Sequence, residues 1–109
     1  MGEIAEFTKK ILKFRDDRNW KKFHNGKDLA LCLGAEAGEL LEVFLWKKDT
    51  EIDKQALQDE LADVMYCALL LAYTYKLNVK DIMDAKMKKN ELKYPASKAK
   101  NSSKKYNKL

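Results

Sequence analysis

Two stretches of helical periodicity, running together from Leu29 to Tyr75, are apolar nearly all the way round, yet each carries a pair of acids on an apolar face. The pairs are Glu36 with Glu39 and Glu60 with Asp63, each spaced acid-x-x-acid, with 20 residues between the pairs. Residues three apart share a helix face. Glu36 and Glu39 therefore sit among Leu29, Leu33, Leu40 and Val43, and Glu60 and Asp63 among Leu57, Val64, Cys67 and Leu71. An unpaired carboxylate in such surroundings costs several kcal/mol. Four brought together repel one another and take up protons. A bound cation relieves both penalties, and a set of oxygen ligands without His or Cys favours Mg²⁺, Mn²⁺ or Ca²⁺ over zinc.

The rest of the chain reads as helix. Ile4, Phe7, Ile11 and Phe14 recur at helical spacing and predict a first helix over about Glu3–Arg18. Trp20, Phe23 and His24 precede an Asn25-Gly26 turn signal. Asp28 is the expected N-cap of a second helix reaching about Trp46, and Asp53 that of a third reaching Tyr75. Asn78 should cap a fourth, with Val79, Ile82 and Met83 facing inward and Pro95 closing it. No segment alternates as a strand does. The expectation is an all-α, four-helix bundle-type domain over residues 1–95, followed by an extended basic tail over 96–109 that Tyr106 tethers.

Helices two and three each carry a second apolar stripe, Ala30, Leu41 and Leu45 on one, Leu61, Met65, Ala68 and Ala72 on the other. A chain of 109 residues has few ways to cover both sides of two helices, so a homodimer or homotetramer is expected, with an ordinary intramolecular core as the alternative.

Charge is divided unevenly. Residues 1–75 hold 11 Lys and Arg against 14 acids, and residues 76–109 hold 11 Lys against three acids. A basic tail can contact nucleic acid, solubilise the chain or face phosphate. Its cations are all Lys, and Arg is the better reader of bases, so specific DNA recognition is not expected. No charge-free apolar run is long enough for a membrane span, and Met1–Lys10 contains acids without the apolar core of a secretory signal. Cys32 and Cys67 fall in apolar patterns and read as small core residues of a cytoplasmic protein.

Three chemistries fit four helical acids. A ferritin-like di-iron site needs Glu-x-x-His, and the only histidine, His24, lies outside any such motif. Ion pairing with Lys or Arg is the ordinary fate of helix-surface acids, but two pairs embedded in apolar faces argue against it. The third is a Mg²⁺ site completed by substrate phosphates, where a carboxylate can also hold or deprotonate an attacking water. No Gly-rich phosphate loop or Cys-x-x-Cys metal motif offers a competing mechanism.

Glu-x-x-Glu on one helix and Glu-x-x-Asp on the next resemble the signature of the MazG-like, all-α nucleoside triphosphate pyrophosphohydrolases. The blocks FRDDRNWKKFH (Phe14–His24), GAEAGELLEVFLW (Gly34–Trp46), DELADVMY (Asp59–Tyr66), KMKKNELKYP (Lys86–Pro95) and NSSKKYNKL (Asn101–Leu109) are similar to the dCTP pyrophosphatase branch. The similarity spans about residues 10–109. It implies Mg²⁺-dependent hydrolysis of a nucleoside triphosphate between the α and β phosphates, giving the monophosphate and pyrophosphate, with dCTP or a modified dCTP as the first-guess substrate and Mn²⁺ as a substitute metal. It carries the metal and catalytic roles to Glu36, Glu39, Glu60 and Asp63. It makes Lys86, Asn90 and Tyr94 phosphate or sugar contacts, and Trp20 and Trp46 walls of a base pocket, with His24 and Tyr66 as further substrate contacts. Eukaryotic members carry a histidine about where Ile11 stands, so one polar substrate contact is missing here and strict dCTP preference is not implied. A non-catalytic helical binding module, using the basic tail on nucleic acid, is the alternative expectation.

Overall fold

A computed structural model describes residues 2–109. It places α1 at Glu3–Asp17, α2 at Gly26–Glu42, α3 at Lys54–Thr74, α4 at Val79–Lys93 and a single-turn α5 at Ala96–Ala99, with short 3-10 turns at Lys21–Phe23, Asp49–Glu51 and Tyr106–Lys108. There is no strand among the described residues. The all-α class expected from the sequence is what is found.

Three long helices begin at side chains that satisfy otherwise orphaned backbone N–H groups. The Asn25 side chain accepts from the Asp28 N–H at 2.9 Å, Asp53 from Gln55 at 2.9 Å and Ala56 at 3.3 Å, and Asn78 from Asp81 at 3.0 Å. The start of α2 therefore corrects the expected cap. Asn25 takes that role, and Asp28 lies in the first turn, where its carboxylate accepts from the Asn25 amide at 2.8 Å. The end of α2 also differs. The helix stops at Glu42, residues 43–45 tighten into i→i+3 bonds, and Trp46 takes a left-handed φ of 64° that turns the chain away from the helix axis.

The described residues pack as two compact units, one ending at Lys76 and the other starting at Leu77. In the first unit α2 and α3 lie antiparallel. The Tyr75 ring at the end of α3 covers Gly26 at the start of α2, and Glu36 meets Glu60 and Asp63 further along. Leu29 and Leu70, 2% and 1% exposed, with Val43 and Cys67 form the core. Cys32, expected in the core as well, is exposed on α2. The α1 helix packs against α3, where Phe14 meets Tyr66 edge-on at 6.2 Å between centroids. Its buried Arg15 lies 5.9 Å from the Tyr73 ring centroid and donates from Nε to Asp16 at 2.9 Å. With so few fully buried side chains, each matters. Leu70→Ala should lower the unfolding free energy by about 2–5 kcal/mol, read as a drop in the urea midpoint. A loss below about 1 kcal/mol would mean that Leu70 is not central to the core.

The second apolar stripe is largely exposed. Leu41, Leu45, Leu61 and Met65 are 44–59% accessible, whereas Ala72 is buried. In the second unit, Lys80 pairs with Asp84 on α4, and the Tyr94 and Tyr106 rings meet edge-on at 6.1 Å, with the Lys93 ammonium 5.0 Å from the Tyr106 centroid. Ile82 and Met83, expected to face inward, are exposed, because nothing within the second unit packs over that side of α4.

Candidate metal centre and adjoining pocket

The two acid pairs converge because α2 and α3 run antiparallel with their acids at one level. Glu36, Glu60 and Asp63 each offer a carboxylate oxygen, and these oxygens all lie within 4.8 Å of one another. Glu36 and Glu60 are half-buried, and one oxygen of each (Oε2) is buried without a hydrogen-bond partner. Buried polar atoms are ordinarily paired, so two orphaned acceptors side by side call for a positive partner. Burial, then the neighbouring Glu39 and Asp63 carboxylates, pushes Glu36 above the ordinary carboxylate range. Glu60 is raised for the same reasons, with Glu36 adding to the repulsion. Glu39 is exposed and stands at the edge of the cluster. Hard, anionic oxygens at this spacing fit a hard divalent cation. The expected metal set thus divides into three converging acids and one that flanks them.

A cavity of about 450 Å³ adjoins this cluster and shares Asp63 with it. Tyr66, one turn along α3, and Trp20 line it, together with Phe14 and three further residues of α1: Phe7, Lys10 and Ile11. Trp20 meets Phe14 edge-on at 5.7 Å, and the Arg18 guanidinium lies 3.7 Å from the Phe14 centroid, which fixes the rings in a T-shaped wall. Burial raises the Tyr66 phenol above its ordinary value, so its hydroxyl stays protonated and can donate.

Of the α1 contribution, sequence reasoning reached only the Ile11 position, through the resemblance, and missed Phe7, Lys10 and Phe14. Phe7, Ile11 and Phe14 were legible as one apolar helix face, but that face reads equally as core, and only the structure opens a cavity in front of it. The remaining expected contacts lie elsewhere. His24 is half-buried just before α2, its Nδ1 unpaired, and burial followed by the Arg15 charge lowers its pKa, so it is a neutral imidazole near pH 7. Trp46 is 98% exposed in the loop after α2 and takes no part in the cavity wall. Lys86 and Asn90 share a face of α4 at i, i+4, and Tyr94 is the C-cap residue of that helix, its N–H donating to the Asn90 carbonyl at 2.8 Å. All three belong to the second unit.

Comparison with known proteins converges on one group. A family model described as MazG-like matches residues 32–109. The dCTP pyrophosphatase 1 of Homo sapiens is 38% identical over 105 residues and that of Mus musculus 36%, each alignment covering 89% of this chain. The chain spans 62% of the length of these curated relatives. Among solved structures, a pyrophosphatase from Archaeoglobus fulgidus superposes with a TM-score of 0.81 at 34% identity, covering 87% of this chain and 94% of that one. The paired helical acids therefore stand in a recognised frame, and the chain belongs to the MazG-like family.

Proposed function

We propose that this chain is a divalent-cation-dependent nucleotide pyrophosphohydrolase that cleaves nucleoside triphosphates between the α and β phosphates. The observation that carries this is the pair of unpartnered buried oxygens on Glu36 and Glu60, converging with Asp63 beside an aromatic cavity large enough for a base. The named activity of the human and mouse relatives makes dCTP, or a modified dCTP, the first substrate to test.

Glu36, Glu39, Glu60 and Asp63 are the residues to hold Mg²⁺, which when bound would neutralise phosphate charge and acidify a coordinated water. The chain's own contribution is positional. One carboxylate of the cluster holds the attacking water by accepting its proton in a hydrogen bond. Phe14 and Trp20 present apolar ring surface to the base, and Tyr66 adds a hydroxyl donor. Ring surface of this kind accepts any nucleobase and so positions without selecting. Lys86 as a phosphate ligand, Asn90 and Tyr94 as sugar or phosphate contacts, and His24 and Trp46 as further substrate contacts complete the reading. The exposed stripe of Leu41, Leu45, Leu61 and Met65 supports a homodimer or homotetramer. No described helix is long and apolar enough to cross a membrane, and the reading places the enzyme in the cytoplasm, with residues 1–95 as its catalytic domain and 96–109 as a basic tail.

The deciding experiment is pyrophosphate release from a panel of ribo- and deoxyribonucleoside triphosphates, with Mg²⁺ and with EDTA. Metal-dependent release of pyrophosphate, not orthophosphate, is expected. Absence of turnover by folded protein would overturn the proposal. It would favour a non-catalytic binding module, whose support is the run of 11 Lys against three acids over residues 76–109. The affinity of such a module for nucleic acid would fall steeply with salt.

A further inference from the structure

The aromatic walls of the cavity do not choose a base, but one residue on its rim has the chemistry to do so. Phe7, Lys10, Ile11 and Phe14 follow an i, i+3, i+4, i+7 pattern, so one face of α1 supplies that whole side of the cavity. Three of the four are apolar, and Lys10 is the exception. Its ammonium lies 5.0 Å from the Phe7 ring centroid. It makes none of the ion pairs found among the described residues, which join Lys13 to Asp17, Arg15 to Asp16 and Lys80 to Asp84. Lys10 is thus a cation beside an apolar cavity with no carboxylate claiming it.

A lysine ammonium has three donors and no acceptor. The other side chains with polar atoms that line the cavity are Asp63, whose carboxylate belongs to the acid cluster, Tyr66 with its hydroxyl, and Trp20 with its indole N–H. A base lying against the Phe14 and Trp20 rings presents its edge, not its face, to the polar groups around it. Cytosine, uracil, thymine and guanine all carry a carbonyl oxygen on an edge, whereas adenine carries only ring nitrogens and an amino donor. A donor-only group bonds an exocyclic carbonyl oxygen, which projects from the ring, more readily than adenine's acceptors, which are ring nitrogens set back in the ring, N1 and N7 each beside the amino donor.

We propose that Lys10 is a base-selecting residue that donates a hydrogen bond to a carbonyl oxygen of the substrate base, favouring oxo-bearing bases over adenine. This rests on the pyrophosphohydrolase reading above and refines its substrate class. Because the amine is partly solvated, the expected discrimination is modest, about tenfold, near the lower end of what a charge-assisted hydrogen bond gives.

The test is kcat/KM for pyrophosphate release from dATP, dCTP, dTTP and dGTP by wild type, Lys10→Met and Lys10→Arg. Methionine keeps the length of the stem and removes the donor, and arginine keeps a cationic donor. The expected result is that Lys10→Met loses about tenfold more on dCTP, dTTP and dGTP than on dATP, while Lys10→Arg preserves the wild-type ranking. An equal loss on all four nucleotides would overturn the proposal and assign Lys10 to the phosphates or to stability. An unchanged ranking without loss would overturn it by removing Lys10 from the site. A wild type that turns over none of the four would instead sink the activity on which the inference stands, an outcome visible before any variant is made.

Discussion

Glu36→Gln is expected to lose more than about 100-fold in turnover while raising the melting temperature of the metal-free protein by several degrees. The two effects share one cause. Glu36 is half-buried, carries an oxygen with no partner and stands within reach of Glu60 and Asp63. Burial and crowding push its carboxyl above the ordinary range, so ionising Glu36 costs more in the folded protein than in the unfolded chain. An amide of the same shape removes the charge and can donate to a neighbouring carboxylate. It also removes an anionic metal ligand. Loss of a group that merely supports a metal ligand costs about 10- to 100-fold, so loss of the ligand itself should cost more. Circular dichroism melting and pyrophosphate release on the same preparation decide the matter. A variant that is less stable without metal, or that keeps full activity, would remove Glu36 from the centre.

The sequence made the fold legible where its signals were redundant. The limits of α3 follow from an Asp53 cap and a long apolar pattern, and both stand in the structure. The sequence reading misplaces the start of α2, because it makes Asp28 the cap and Asn25, three residues earlier and as good a cap, part of a turn. Only the observed bonds show that Asn25 caps and Asp28 fills the first turn. The end of α2 carries no Gly or Pro, so nothing local announces that Trp46 leaves the helix with a positive φ. The convergence of Glu36, Glu60 and Asp63 was readable because matched spacing on two adjacent helices leaves few other arrangements. The cavity in front of α1 was not, since an apolar helix face looks the same whether it is packed or open.

Added Mg²⁺ should raise the melting temperature more at about pH 8 than at about pH 5, with the increment growing as protons leave the acid cluster. Glu36 and Glu60 have folded-state pKa values above the ordinary 4.5. Between the ordinary and the raised value, the folded protein therefore binds more protons than the unfolded chain. Their contribution to stability is most favourable below the ordinary value, falls as pH rises through that window, and stays low above it. A cation substitutes for the missing protons, so it gains most where the carboxylates are fully ionised. Thermal melts with Mg²⁺ and with EDTA across this range, repeated on Glu36→Gln, separate the cluster from other titrating groups. A Mg²⁺ increment that is flat with pH, or unchanged in Glu36→Gln, would show that the ion acts elsewhere.

The two cysteines end up chemically unequal. Cys67 is buried, and burial, with Cys32 and the acids Glu36 and Asp63 adding to it, pushes its thiol up to about 11, so at neutral pH it stays protonated and shielded from solvent. Cys32 is exposed and sits one helical turn before Glu36. An alkylating dye or spin label arriving from solution meets one sulfur and not the other. The molecule thus comes with a single attachment point for a reporter, close enough to the carboxylates to register what occupies them.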